Sequence, residues 1–211
     1  MTRFPILLTN DDGINSPGLQ DLASSLHSLG HPIAILAPLT EQSAVGMKLT
    51  LRDDMAFEEH TDIAEKIRTD ESAPLRAFSL DGSPCDCVIV AIDGGLRSWA
   101  PEIRPWLCIS GINRGPNLSV DVLHSGTVSA AREASLYGLP SLSVSLATYS
   151  HQDYSQSIEA TLALVERLSE LVTVEPSNIL RPEGSRTRPI EGTGPNSLRS
   201  WFMQGNMFLN L

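Results

Sequence analysis

Residues 4–9, FPILLT, form a short apolar run that stops at the polar loop NDDGINSP, after which Leu19, Leu22, Ala23, Leu26 and Leu29 recur at helical spacing. A run this short and this uniformly apolar suits a strand buried on both faces, and the spacing that follows suits a helix packed across it. Gly30 supplies a left-handed helix stop just before the next apolar run, residues 32–37. Strand, loop, helix and strand in this order constrain the chain to a fold in which parallel strands are joined by helical crossovers.

The alternation returns further along. Ser83 and Pro84 read as the N-cap and first residue of a helix carrying Cys87, Val88, Ala91 and Ile92 and closed by Gly94 and Gly95. Residues 107–110 read as a strand, 127–137 as a helix ended by Gly138, and 140–146 as a further strand. Ile158, Leu162, Val165 and Leu168 mark a last amphipathic helix. The expectation is an α/β sandwich with a mostly parallel sheet over residues 1–174, in which residues 47–77 are a charged excursion containing a hairpin. From residue 175 the texture turns to Pro, Gly, Ser and Arg without a usable period. Residues 175–211 are therefore read as a divergent tail, with Trp201, Phe202, Met207, Phe208 and Leu209 an apolar cluster docking on the core or on a neighbouring subunit.

Composition narrows the partners. With 15 Lys and Arg against 25 Asp and Glu, the chain carries a net charge of −10, and a field of that sign repels phosphate backbones and anionic bilayers. Neither a nucleic acid polymer nor a membrane is expected as a partner. No stretch approaches the roughly 20 apolar residues of a membrane span, and the opening residues run into the first strand without a secretory h-region, which points to the cytoplasm. Cys85, Cys87 and Cys108 have neither CxxC spacing nor a nearby His and are read as core residues.

Three loops at strand ends carry the chemistry. Asp11 and Asp12 are adjacent and followed by Gly13, so both carboxylates reach one cation if the chain turns sharply there. The alternative is that one of them caps the following helix and the other is solvated. The loop EQSAVG offers Ser43, and SGINRGPN offers Asn113 and Asn117. Loops after parallel strands meet at one edge of the sheet, and oxygen ligands without His or Cys suit Mg²⁺ or Mn²⁺ and not zinc. For the two Asn residues, ordinary turn chemistry beside Gly is the competing explanation. Ser125, Gly126 and Thr127 stand where a helix begins and outline a phosphate cradle, with a plain N-cap as the alternative. No GK[ST] follows, so this is not a Walker A loop. His124 and Lys48 are held in reserve.

NDDGINSPG, APLTEQSAVG, DGSPCDCV, SGINRGPN and HSGTVSAAREA, in this order, resemble the SurE survival-protein family. The resemblance implies a Rossmann-like three-layer α/β sandwich and a divalent-metal-dependent phosphatase acting on nucleoside monophosphates, with one Mg²⁺ or Mn²⁺ per subunit. It implies Asp11, Asp12, Ser43 and Asn113 as metal ligands, with the two aspartates catalytic. Asn117, Ser125, Gly126 and Thr127 would bind the substrate's phosphate, and a homodimer or homotetramer is the implied assembly. His124 stands where the family commonly has Tyr, and Ala44 where it has Gly. A haloacid-dehalogenase-type mechanism is excluded, because the register that aligns Asp12 and Gly13 with its DxDG loop places Asn10 at the nucleophile position, and an amide forms no acyl phosphate. The remaining alternative is a nucleotide- or phosphate-binding protein with little turnover.

Overall fold

The computed structural model describes residues 3–171 and 208–211. Seven strands form one sheet: β1 (Ile6–Thr9), β2 (Ile33–Pro38), β3 (Phe57–Glu59), β4 (Leu75–Leu80), β5 (Leu107–Asn113), β6 (Ser141–Ser145) and β7 (Phe208–Asn210), in the order β3-β4-β2-β1-β5-β6-β7. All neighbours are parallel except β3 and β4. The helices are α1 (Pro17–Ser28), α2 (Thr61–Ile67), α3 (Pro84–Val90), α4 (Leu96–Trp99), α5 (Asp121–His124), α6 (Gly126–Leu136) and α7 (Ser155–Leu171). A wide turn over Ala91–Gly95, kinked at Asp93 and Gly94, separates α3 from α4.

The period-two alternation of β1 sorts the core into two layers. Ile6 and Leu8 pack with Leu19, Leu22 and Leu26 of α1 and Val165 and Leu168 of α7, whereas Leu7 faces Cys87 and Val88 of α3 and Ala130 and Ala134 of α6. The result is the three-layer α/β sandwich expected from the chain's alternation. Ser83 caps α3 as the sequence suggests. Its hydroxyl accepts from Asp86 N, and the Asp86 carboxylate accepts from Ser83 N at 2.9 Å. The three cysteines are buried and unbridged, and burial pushes the thiols of Cys85 and Cys108 up to about 12.

Two expectations need correction. Residues 47–77 are not merely an excursion, because β4 begins at Leu75 and pairs over its whole length with β2 in the core. Arg76 and Ser79 interrupt its apolar run, which conceals it in the sequence. The hairpin is also replaced: β3 pairs antiparallel with β4, but α2 lies between them. Residues 172–207, and with them most of the tail, fall outside the described residues, Trp201, Phe202 and Met207 included. Phe208–Asn210 nevertheless forms β7, paired in parallel with β6.

β1 lies between β2 and β5, so the chain runs outward in one direction from β1 through β2 and β4 and returns on the other side through β5 and β6. The crevice between the ends of β1 and β5 is the topological switch point of the sheet, where open α/β folds bind ligands.

Candidate active site at the switch point

Asp11 and Asp12 leave β1 through a turn held by Asn10. The buried Asn10 amide accepts from Gly13 N at 3.1 Å through Oδ1 and donates through Nδ2 to Gly13 O at 3.0 Å and Ser16 Oγ at 2.7 Å. Gly13 adopts φ +91°, and a Cβ there would stand 3.3 Å from the Thr40 carbonyl carbon. The turn separates the two carboxylates by role. Asp11 is 4% exposed and meets the start of α6, accepting from Thr127 N at 3.0 Å through Oδ2 and from the Thr127 hydroxyl through Oδ1. Asp12 is half-buried and accepts from Arg114 N at 3.0 Å. Neither caps α1, whose N-cap is Ser16.

Asn113 stands at the end of β5, across the crevice. Its Nδ2 donates to Gly115 O at 2.8 Å, and its Oδ1 accepts a long contact of 3.5 Å from the same Thr127 hydroxyl that binds Asp11. Asp11, Asn113 and Thr127 therefore converge. Ser43 is not brought into contact with them; it is exposed, and its hydroxyl donates to Glu41 Oε1 at 2.6 Å. Its loop is tied to the pair one residue earlier, through Gln42 N to Asp11 O at 2.7 Å.

At the N-terminus of α6 the Ser125 hydroxyl accepts from Val128 N at 3.1 Å, so the N-cap reading of this residue holds. Gly126 is needed for close approach: a Cβ there would lie 2.8 Å from Asp11 Cβ and 3.1 Å from Pro84 Cγ. The anion seated against this helix start is Asp11 itself, which the positive end of the helix dipole favours. Asn117 is 7% exposed and donates to Ser145 Oγ at 2.9 Å. His124 ends α5, and its carbonyl accepts from Gly46 N at 2.8 Å, while Lys48 O accepts from the Ser83 hydroxyl at 2.6 Å.

Burial raises the pKa of Asp11 against the opposing effect of the Thr127 bonds. Asp12 is pushed up to about 6, first by burial and then by the charge of Asp11, with Glu41 adding a smaller push; the Arg114 amide and guanidinium act the other way. Glu41 and Arg114 were missed as site residues, although they stand two residues before Ser43 and directly after Asn113.

This donor set fits a hard cation. Among the described residues no group of three His, Cys, Asp or Glu converges, and neither Asp11 nor Asp12 forms an ion pair with a cationic side chain there. Two carboxylates whose charged forms are disfavoured, next to an oriented amide oxygen, leave oxygen lone pairs and negative charge for an added ion.

The family model described as Survival protein SurE matches residues 6–193. The chain belongs to the SurE family. Among its SurE relatives, the 5'-nucleotidase SurE of Syntrophotalea carbinolica is 43% identical over 167 residues, covering 78% of this chain and 59% of that protein. The 5'-nucleotidase SurE of Synechococcus sp. (strain JA-3-3Ab) is 42% identical over 165 residues, with the same two coverages of 78% and 59%. The crystal structure of the SurE protein from Aquifex aeolicus superposes with a TM-score of 0.62 at 32% identity, covering 78% of this chain and 60% of that one. The chain thus spans about 59% of the length of the curated SurE proteins it matches first. No helix among the described residues is long and apolar enough to cross a membrane.

Proposed function

We propose that this protein is a divalent-metal-dependent phosphomonoesterase that hydrolyses nucleoside monophosphates to nucleoside and phosphate, with Asp11, Asp12, Asn113 and Ser43 as ligands of one Mg²⁺ or Mn²⁺ per subunit. The observation that carries the reading is the carboxylate pair at the switch point, in no ion pair among the described residues, with the Asn113 side-chain oxygen beside the Thr127 hydroxyl that holds Asp11. Its likeness to proteins named 5'-nucleotidase SurE supports the substrate class.

Held by Asp11, Asp12, Asn113 and Ser43, a divalent cation would supply positive charge to the phosphoryl oxygens and lower the pKa of the attacking water. Asp12, raised to about 6 and half-buried, is suited to accept that water's proton. Asp11 is clamped by Thr127 and serves as the fixed ligand. Asn117 spends one amide hydrogen on Ser145 and keeps the other for a phosphoryl oxygen. Ser125 and Gly126, at the start of α6 beside Asp11, would bind the same phosphate. Exposed Leu118, Val120 and Leu123 beside this loop support a homodimer or homotetramer, which sedimentation of the protein would measure.

The test is phosphate release from a panel of nucleoside monophosphates before and after EDTA, followed by Mg²⁺ or Mn²⁺. Release that EDTA abolishes and the metal restores is expected. Nucleotide binding without release under any metal would replace the enzyme with a binding protein.

A further inference from the structure

We infer that β7 supports the candidate site, with Asn210 a positioning residue for the phosphate contact made by Asn117. The inference rests on the nucleotidase reading for what Asn117 does, and on the geometry for how it is held.

Ser143 of β6 and Asn210 of β7 are partners in register, so their side chains lie together on one face of the sheet. The fully buried Ser143 hydroxyl donates to Asn210 Oδ1 at 2.7 Å, which turns the amide so that Nδ2 donates to the main-chain carbonyl of Asn117 at 3.2 Å. Asn117 in turn donates from its own side chain to Ser145 Oγ at 2.9 Å. Two serines on one face of β6 thus hold two asparagines, one of them 93 residues away in sequence from the other. β7 is itself locked to β6, Leu211 N donating to Ser143 O at 2.8 Å and Ser145 N to Leu211 O at 3.0 Å.

This matters because the loop after β5 is anchored at both ends of its functional stretch. Near β5, Arg114 N is bound to Asp12 and Asn113 to Gly115 O. At Asn117 the main chain is held by Asn210 and the side chain by Ser145. Only a short side chain with one acceptor and one donor can bridge a hydroxyl to a carbonyl in this way. Aspartate keeps the acceptor toward Ser143 and sets a second oxygen against the Asn117 carbonyl, where two acceptors repel. The position of Asn117 against a phosphoryl oxygen then depends on the last strand of the sheet.

The test compares full-length wild type, Asn210→Asp and Ser143→Ala, the second removing the hydroxyl that orients Asn210. KM for a nucleoside monophosphate and Ki for inorganic phosphate are expected to rise together by about three- to tenfold in Asn210→Asp, as for one lost hydrogen bond, and less in Ser143→Ala. kcat and metal affinity should stay near wild type. A fall in kcat that follows the folded fraction, with KM and Ki unchanged, makes β7 purely structural and overturns the inference, as do variants indistinguishable from wild type. If Asn210→Asp fails to fold, the same KM and Ki comparison in Ser143→Ala decides. Wild type that turns over no nucleotide with metal present overturns the nucleotidase reading instead, and this inference with it.

Discussion

At Asp12, in the proposed reading, proton and metal would compete. Its carboxyl titrates near 6 in the fold against an ordinary 3.8, so the folded chain favours the protonated form. The contribution of Asp12 to the stability of the metal-free protein is therefore fully present below the unfolded value and is lost as pH rises through about 6. Asp11 contributes in the same direction. Urea midpoints measured in EDTA across this range should fall with pH, and Asp12→Asn should flatten the profile, stabilise the metal-free protein at neutral pH and remove metal-dependent turnover. Apparent metal affinity of the wild type should rise over the same window as the competing proton leaves. Thr127 supplies a second residue-scale prediction. Its hydroxyl is buried and bound to Asp11, so Thr127→Val should cost about 1 to 3 kcal/mol of stability and weaken metal binding, both by calorimetry, while Thr127→Ser restores most of each.

Among the elements, α6 decides the site's shape by how closely it starts to β1. The sequence TVSAAREA makes an ordinary amphipathic helix, but the residue before it must lack a side chain for the helix to reach Asp11. Gly126→Ala would place a methyl 2.8 Å from Asp11 Cβ and 3.0 Å from Asp11 Oδ2. Either the helix start or the aspartate has to move, and overpacking of this kind costs about 1 to 3 kcal/mol. Turnover should drop further than stability, since the displaced group is the proposed fixed ligand; parallel denaturation and phosphate-release curves would separate the two losses.

For the molecule as a whole, the net charge of −10 would oppose the proposed anionic substrate, and the cation proposed at the switch point would offset that repulsion. The sheet joins the beginning of the chain to its last residues, since β1 is central and β7 closes the far side of β6. Deleting residues 208–211 would leave β6 as an edge and the Asn117 carbonyl without its Asn210 partner. Stability should fall by about 1 to 3 kcal/mol and inorganic phosphate should inhibit less strongly, with metal affinity kept because its proposed ligands lie elsewhere. Denaturant midpoints and titration calorimetry of the two proteins would check this.

Helix starts and stops such as Ser83 with Pro84, Gly30 and Gly138, and the apolar runs of β1, β2, β5 and β6, were legible because each depends on contacts within a turn or two of the chain. The three loops carrying Asp11, Ser43 and Asn113 were legible as well, since parallel strands deliver their ends to one edge. β4 was not, because Arg76 and Ser79 break its pattern and only β2 alongside shows that the strand is interior. The bonds that distinguish a site from three neighbouring loops were beyond any local pattern. Thr127 reaches Asp11 across 116 residues and Asn210 reaches Asn117 across 93. Side chains so far apart in sequence are brought together by strand register and helix packing, and that register is settled by burial of the whole sheet.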